Sequence, residues 1–300
     1  MAGILCITGV LINAFIVAVN LLDWMKRKSI SHVDQVITSL AMTRIFSQVS
    51  SFLYFLLTIL LNHRLYLLLY VINKIAVFSG HLSTWLMTLL SIVFCLKISN
   101  FHHVFLLRLK AMMEKVAHLI GAPALMSLCY MSLFIWAEHI GAPESTMQNV
   151  SADGTGFPKR SVMIVLTFAL GNSVPFILYC TSSVLAVASI SLHIKRIKLN
   201  QMATINLGAY YNVIRYLVLS FLFFAVYGTA CVTLIYYHYF HSLEVIWVYI
   251  TIHFFPNVHS VYLIHKSNKL RKKLIWFFQY RTKCWIDQRS NDPRLETIMS

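Results

Sequence analysis

The sequence predicts an all-α membrane protein built as a bundle of seven transmembrane helices, on three observations. Apolar residues make up 58% of the 300 residues and charged ones only 12%, too few to clothe a water-soluble surface. The apolar residues gather into seven stretches of about 19 to 30, and a helix needs roughly 20 to cross a hydrocarbon core. The 25 Lys and Arg, against 10 Asp and Glu, collect on alternate sides of those stretches. Together these exclude a soluble enzyme, a nucleic-acid-binding protein and a disulfide-stapled secreted domain.

The first stretch, 4–22, carries Asn13 and Asn20, seven residues apart and therefore on one helical face. No basic segment or small-residue cleavage pattern precedes it, so it is expected to serve as its own signal anchor. The second, 36–61, contains Arg44 and then Phe52, Tyr54 and Phe55. The third, 71–97, places Trp85 roughly 18 Å from Lys97 at 1.5 Å per residue, with Leu89 one turn below it. The fourth to sixth are 117–137, 162–192 and 214–236. The seventh, 244–265, carries Trp247 and Tyr249, His253 one turn further, and then Pro256, Asn257, His259 and Ser260. Residues 1–265 therefore read as one transmembrane domain and 266–300 as a basic cytoplasmic tail.

Charge sets the expected orientation. One side holds Lys26, Arg27 and Lys28, four basic residues from Lys97 to Lys115, four from Lys195 to Arg215, and nine from Lys266 onward. The other side holds Arg64, Lys74, Lys159 and Arg160, offset by Glu138, Glu144, Asp153 and Glu244. The positive-inside rule makes the richer side cytoplasmic and the amino terminus external. Most of the net charge of +15 is thus a feature of the inner face, where it attracts anionic lipid and suits a soluble partner.

Polar groups inside hydrocarbon are costly and mark sites. Asn13, Arg44 and Ser260 are expected roughly 10 to 15 Å above the cytoplasmic boundary, where asparagine, serine, histidine and carbonyls freed by Pro256 could serve the guanidinium. This layer reads either as a packing clamp between helices 1, 2 and 7 or as a clamp that rearranges in a conformational switch. The outer half, with Phe55, Trp85, Trp247, Tyr249 and His253, is aromatic and poor in charge. It suits an apolar or amphipathic small molecule better than an ion, although any one of these rings could instead face lipid. The six cysteines and 13 histidines show no metal-ligand spacing, no catalytic constellation is present, and no cofactor is expected. No internal repeat or paired interrupted helices, the marks of many transporters, are found.

Several runs resemble one family. These are Asn13-Ala14-Phe15-Ile16-Val17-Ala18-Val19-Asn20, Asp23-Trp24, Ile30-Ser31 to Gln35, and Leu40-Ala41-Met42-Thr43-Arg44. In and after helix 3 come Trp85 to Leu90-Ser91, Leu96-Lys97-Ile98-Ser99-Asn100-Phe101 and Phe105 to Lys110. Helix 5 adds Pro175-Phe176 and Ser191-Leu192-His193, and helix 7 ends His259-Ser260 with Leu263-Ile264 and Lys269-Leu270. In order and spacing, from about Asn13 to Lys273, the chain resembles the type 2, or bitter, taste receptors. It departs from their pattern at Val49, Phe55 and Phe94, and between Asn206 and Tyr216.

The resemblance implies a G-protein-coupled receptor fold and a receptor of the plasma membrane. Small bitter ligands would bind in the outer bundle, with Trp85 in the pocket, and a gustducin-like heterotrimeric G protein would dock inside. Lys97, Arg108, Lys110, Lys195, Arg196 and Lys198 frame that inner end. Asn149-Val150-Ser151, the only glycosylation sequon, falls in an outer loop where the family carries one. A pheromone-type chemoreceptor of vomeronasal layout and a small-molecule transporter are the alternatives.

Overall fold

The structure, a computed structural model, describes residues 2–27, 31–61, 65–98, 116–140, 159–199, 207–241 and 245–290. Among the described residues every regular element is helical: α1 (Ala2–Arg27), α2 (His32–Leu61), α3 (Tyr66–Ile98), α4 (Val116–Ile140), α5 (Lys159–Leu199), α6 (Leu207–His241), α7 (Val245–Lys266) and α8 (Asn268–Ser290). Backbone polar groups have no water to bond in hydrocarbon, so each stretch must satisfy them within a helix.

Most helices overrun the apolar stretches that announced them, because an intrahelical ladder does not stop where hydrophobicity does. α2 starts at His32 rather than at 36, since Ser31 caps it: its Oγ accepts the Asp34 N–H at 3.1 Å. α5 has 41 residues, about 60 Å at 1.5 Å per residue and twice the hydrocarbon thickness, so it must project beyond a bilayer.

Among the described residues six helices are long and apolar enough to cross a membrane, within Gly3–Lys26, His32–Leu60, Tyr66–Leu96, Ile120–His139, Ser161–Leu199 and Tyr210–Tyr237. α7 makes the seventh member of the bundle. It packs against α6 on one side and α1 and α2 on the other, closing the ring that α2, α3 and α5 complete, with α4 outside α3 and α5. α3 is the central post. In its most apolar stretch 56% of residues are buried, against no more than 33% in the other spans. The main core forms around it from Ile16, Val36, Leu40, Leu86, Leu90, Val93, Tyr179, Phe224 and Leu263. Large side chains such as Ile4, Leu11, Leu60, Leu133, Trp136 and Leu170 point outward and suit a lipid surround.

The region expected only as a basic tail begins as a helix that is pinned to the bundle. The buried Leu270 joins the core of Leu263 and Ile264, with Leu274 packed against it. Beside it the Lys269 ammonium donates to Asn20 Oδ1 at 2.9 Å and pairs with Asp34 and Asp23, each at 3.1 Å. Asn20 in turn donates to Thr38 Oγ1 at 2.9 Å. One lysine thereby ties α8 to α1 and α2. These groups are partly exposed, so the tie is worth about 1 kcal/mol or less per pair.

Candidate functional site: a polar clamp below an aromatic cavity

At mid-bundle Arg44 reaches from α2 toward α7. Nη1 donates to Ser260 Oγ at 2.6 Å, and Nη2 lies 3.2 Å from His259 Nδ1 and 3.1 Å from Met87 Sδ. A guanidinium only donates, so His259 must accept through Nδ1 and carry its proton on Nε2. Ser260 passes its own hydrogen to Asn13 Oδ1 at 2.9 Å, and Asn13 Nδ2 closes onto Gly9 O at 2.8 Å. Asn13, Arg44 and Ser260 thus stand in one continuous chain across α1, α2 and α7. Pro256 lies one turn before Ser260 on α7.

A second bridge sits one turn away. Gln48 donates to the Asn257 side chain, whose Nδ2 donates to Leu5 O at 2.9 Å. Gly9 of α1 lies where these amides meet, and a Cβ there would strike both Gln48 and Asn257. Arg44 is buried, and its described partners are a hydroxyl, an imidazole and a thioether, with no carboxylate. A buried cation held only by neutral acceptors is costly.

Between this clamp and the end of the bundle where α1 begins lies a cavity of about 290 Å³. Its walls are Ser47, Ser51, Tyr54 and Phe55 of α2, Asn73, Val77, Gly80, His81 and Thr84 of α3, and Tyr130 and Phe134 of α4. Ile164, Phe168 and Asn172 of α5, Tyr227 and Cys231 of α6, and Ile252 and His253 of α7 complete it. Asn73 lies seven residues into α3, so the cavity starts about 10 Å inside the helix ends.

One wall follows from a proline. Pro175 has no N–H, which leaves the Gly171 carbonyl four residues earlier without its helical partner. His81 Nε2 lies 3.3 Å from that oxygen and must carry the donated proton, so Nδ1, 3.1 Å from Ser127 Oγ, accepts the serine hydrogen. The imidazole stacks on Tyr130 with centroids 3.9 Å apart, and the Tyr130 ring occupies the space that a Cβ on Gly171 would need. Three helices are fixed around one ring.

The floor leads toward the clamp. Thr84 and Tyr227 line the cavity and also a void of about 20 Å³ beneath it, which Met87 and His259 share. Those two side chains touch Arg44. A third void of about 10 Å³, between Met87, Tyr179, Tyr216 and His259, continues the column.

Of the residues singled out in the sequence, Phe55 and His253 line the cavity. Trp85 and Leu89 are not among its lining residues. The lining stripe of α3 runs Asn73, Val77, Gly80, His81 and Thr84, and one further residue turns a side chain about 100° off it. The Trp85 ring lies edge-on to His81 at 6.5 Å, and Leu89 is buried in the main core. Trp247 is 58% exposed, and the side chain of Tyr249 lies outside what the structure describes. Lys195, Arg196 and Lys198 are exposed near the end of α5, while Arg108, Lys110, Asn149 and the side chain of Lys97 fall outside the described part. Sequence reasoning missed Gln48, Met87, His81 and Gly171. For the last two the spacing of Pro175 after Gly171 was the available signal.

Comparison with known proteins completes the picture. A family profile described as taste receptor protein (TAS2R) matches residues 1–282. Taste receptor type 2 member 125 of the rat is 31% identical across 94% of this chain and 96% of its own length. Human taste receptor type 2 member 50 is 31% identical over 74% of this chain and 76% of its own. Mouse taste receptor type 2 member 123 is 40% identical over a shorter stretch, 43% of this chain and 38% of its own. The chain belongs to the type 2 taste receptor family.

Proposed function

We propose that this taste receptor is a bitter-compound sensor of the plasma membrane that binds small molecules in the 290 Å³ cavity and activates a gustducin-like heterotrimeric G protein. Its amino terminus is external and its α8 end cytoplasmic, as the charge asymmetry favours. The observation that carries the reading is the continuity from cavity to clamp: the void under the cavity floor is bounded by Met87 and His259, the residues that hold Arg44. A ligand that presses on Thr84 or Tyr227 can change the packing of those two side chains. The change is then felt where α2 meets α7.

At the α8 end, exposed Lys195, Arg196 and Lys198 extend α5 past the bilayer, and Lys97, Arg108 and Lys110 fall in the sequence on the side that the charge asymmetry assigns to the cytoplasm. Their charge would steer an acidic G-protein surface, with an apolar partner helix supplying affinity. Trp85 is proposed to act on the cavity through His81, and Tyr249 is proposed as a ligand contact.

The test is a calcium assay in cells co-expressing a promiscuous G protein and challenged with a panel of bitter compounds. Phe55→Ala removes an aromatic wall and is expected to weaken agonist potency about ten- to a hundredfold, the equivalent of roughly 1 to 3 kcal/mol, at unchanged surface expression. Unchanged potency across several agonists would place binding elsewhere. Asn149 is proposed to carry a glycan on the external face. Peptide N-glycosidase should then increase the electrophoretic mobility of the mature receptor, and no shift would count against this topology.

A further inference from the structure

The cavity has a lining with polarity but no formal charge. Its described walls include the rings of Tyr54, Phe55, Tyr130, Phe134, Phe168 and Tyr227 and the amides of Asn73 and Asn172, with no Asp, Glu, Lys or Arg. Two charges do lie directly behind this lining. Lys74 of α3 pairs with Glu138 of α4, and the side chains are only 11% and 14% exposed. The Lys74 ammonium also sits 4.6 Å from the Tyr70 ring centroid and 4.9 Å from that of Phe134, a wall of the cavity. Each charge is therefore spent on the other, one aromatic ring away from the ligand space.

We propose that the Lys74–Glu138 pair is a specificity device that restricts the cavity to uncharged, flat aromatic ligands carrying hydrogen-bonding groups. This rests on the cavity being the ligand site proposed above. A ligand carboxylate or ammonium would have to shed its water on entry, and the walls offer it no permanent charge, only the imidazoles of His81, with both nitrogens already hydrogen-bonded, and His253. Stacking on the rings and hydrogen bonds with the Asn73 amide and with Asn172 Oδ1, whose Nδ2 already donates to Phe168 O at 2.8 Å, serve a neutral planar molecule instead. The pair lies outside the lining and acts by what it withholds. Opening it from one side would release a charge of known sign behind Phe134, and ligand preference should follow that sign.

Three probes of one shape separate the cases: 2-naphthamide, naphthalene-2-carboxylate and 2-naphthylmethylammonium, each radiolabelled and bound at neutral pH to purified full-length receptor in nanodiscs. The wild type should bind the amide at least about tenfold more tightly than either ion. Glu138→Gln frees the Lys74 cation and should raise carboxylate affinity at least about tenfold while leaving the ammonium weak. Lys74→Met should do the reverse. The charge swap Lys74→Glu with Glu138→Lys, which rebuilds the pair and guards against simple misfolding, should restore the wild-type order. Ser51→Trp, which fills the cavity, should abolish binding of all three.

Equal binding of the three probes by the wild type, still abolished by Ser51→Trp, would overturn the charge restriction and leave the cavity as the site. Parallel changes for all three probes in Glu138→Gln and Lys74→Met would reduce the pair to a structural tie and overturn the proposal. Absence of amide binding to the wild type, or amide binding indifferent to Ser51→Trp, would overturn the cavity reading and the proposal together.

Discussion

Replacement of Arg44 by methionine is expected to destabilise the receptor by about 1 to 2 kcal/mol and to abolish most agonist response, because it removes donors to Ser260, His259 and Met87 in one step. Each intramembrane hydrogen bond is worth roughly 0.6 to 1.7 kcal/mol, and losing two leaves buried acceptors on α7 without a donor. Two effects oppose each other here. Methionine also relieves the cost of a buried cation, so the stability loss should be smaller than a count of bonds suggests. The response should suffer more, since the guanidinium spans α2, α3 and α7 while a thioether cannot. Arg44→Lys is the sharper control: one compact ammonium cannot reproduce the planar fork that reaches a serine on one side and a histidine on the other. Thermal unfolding of purified receptor in nanodiscs, together with a calcium response at matched surface expression, measures both. Wild-type response from Arg44→Lys would show that charge alone suffices.

Gly171→Ala should cost about 2 to 3 kcal/mol and also lower agonist potency, although a single methyl group is added. The new Cβ meets the Tyr130 ring, and that ring is trapped against His81, whose nitrogens are committed to Gly171 and Ser127. A flexible neighbour would swing aside; a stacked ring between three helices has little room to do so. The displacement goes into the cavity that Tyr130 lines. Thermal unfolding and agonist dose–response on the same preparation separate the two effects. Unchanged values in both would mean that the wall is loosely packed.

The fold was legible because a bilayer imposes a length and a sign. Stretches able to cross can be counted in the chain, and the excess of Lys and Arg marks alternate connections. The participants of the clamp were legible for a related reason: Arg44, Asn13 and Ser260 are expensive in hydrocarbon and therefore conspicuous. Gln48 and Met87 escaped notice because an amide or thioether in a long apolar run carries no such warning until a partner stands opposite. The cavity was harder still. Aromatic residues are common in membrane helices, and only helix rotation separates Thr84 on the wall from Trp85 beside it, a turn of about 100° that composition does not record. The helical start of the tail was hidden by its charge. Its anchor, Leu270 under Lys269, is a two-residue signal within a basic stretch.

Occupancy of the cavity is expected to drive nucleotide exchange on a G protein at the α8 end. This is tested most directly by the rate of GTP-analogue uptake by a purified gustducin-like heterotrimer, with the receptor in nanodiscs, in the presence and absence of a bitter agonist. Agonist should accelerate uptake at least about tenfold with the wild type and leave it at the basal rate with Ser51→Trp, whose indole fills the cavity. Uptake that no bitter compound accelerates, from receptor that instead moves those compounds across sealed liposomes, would contradict this and identify a transporter.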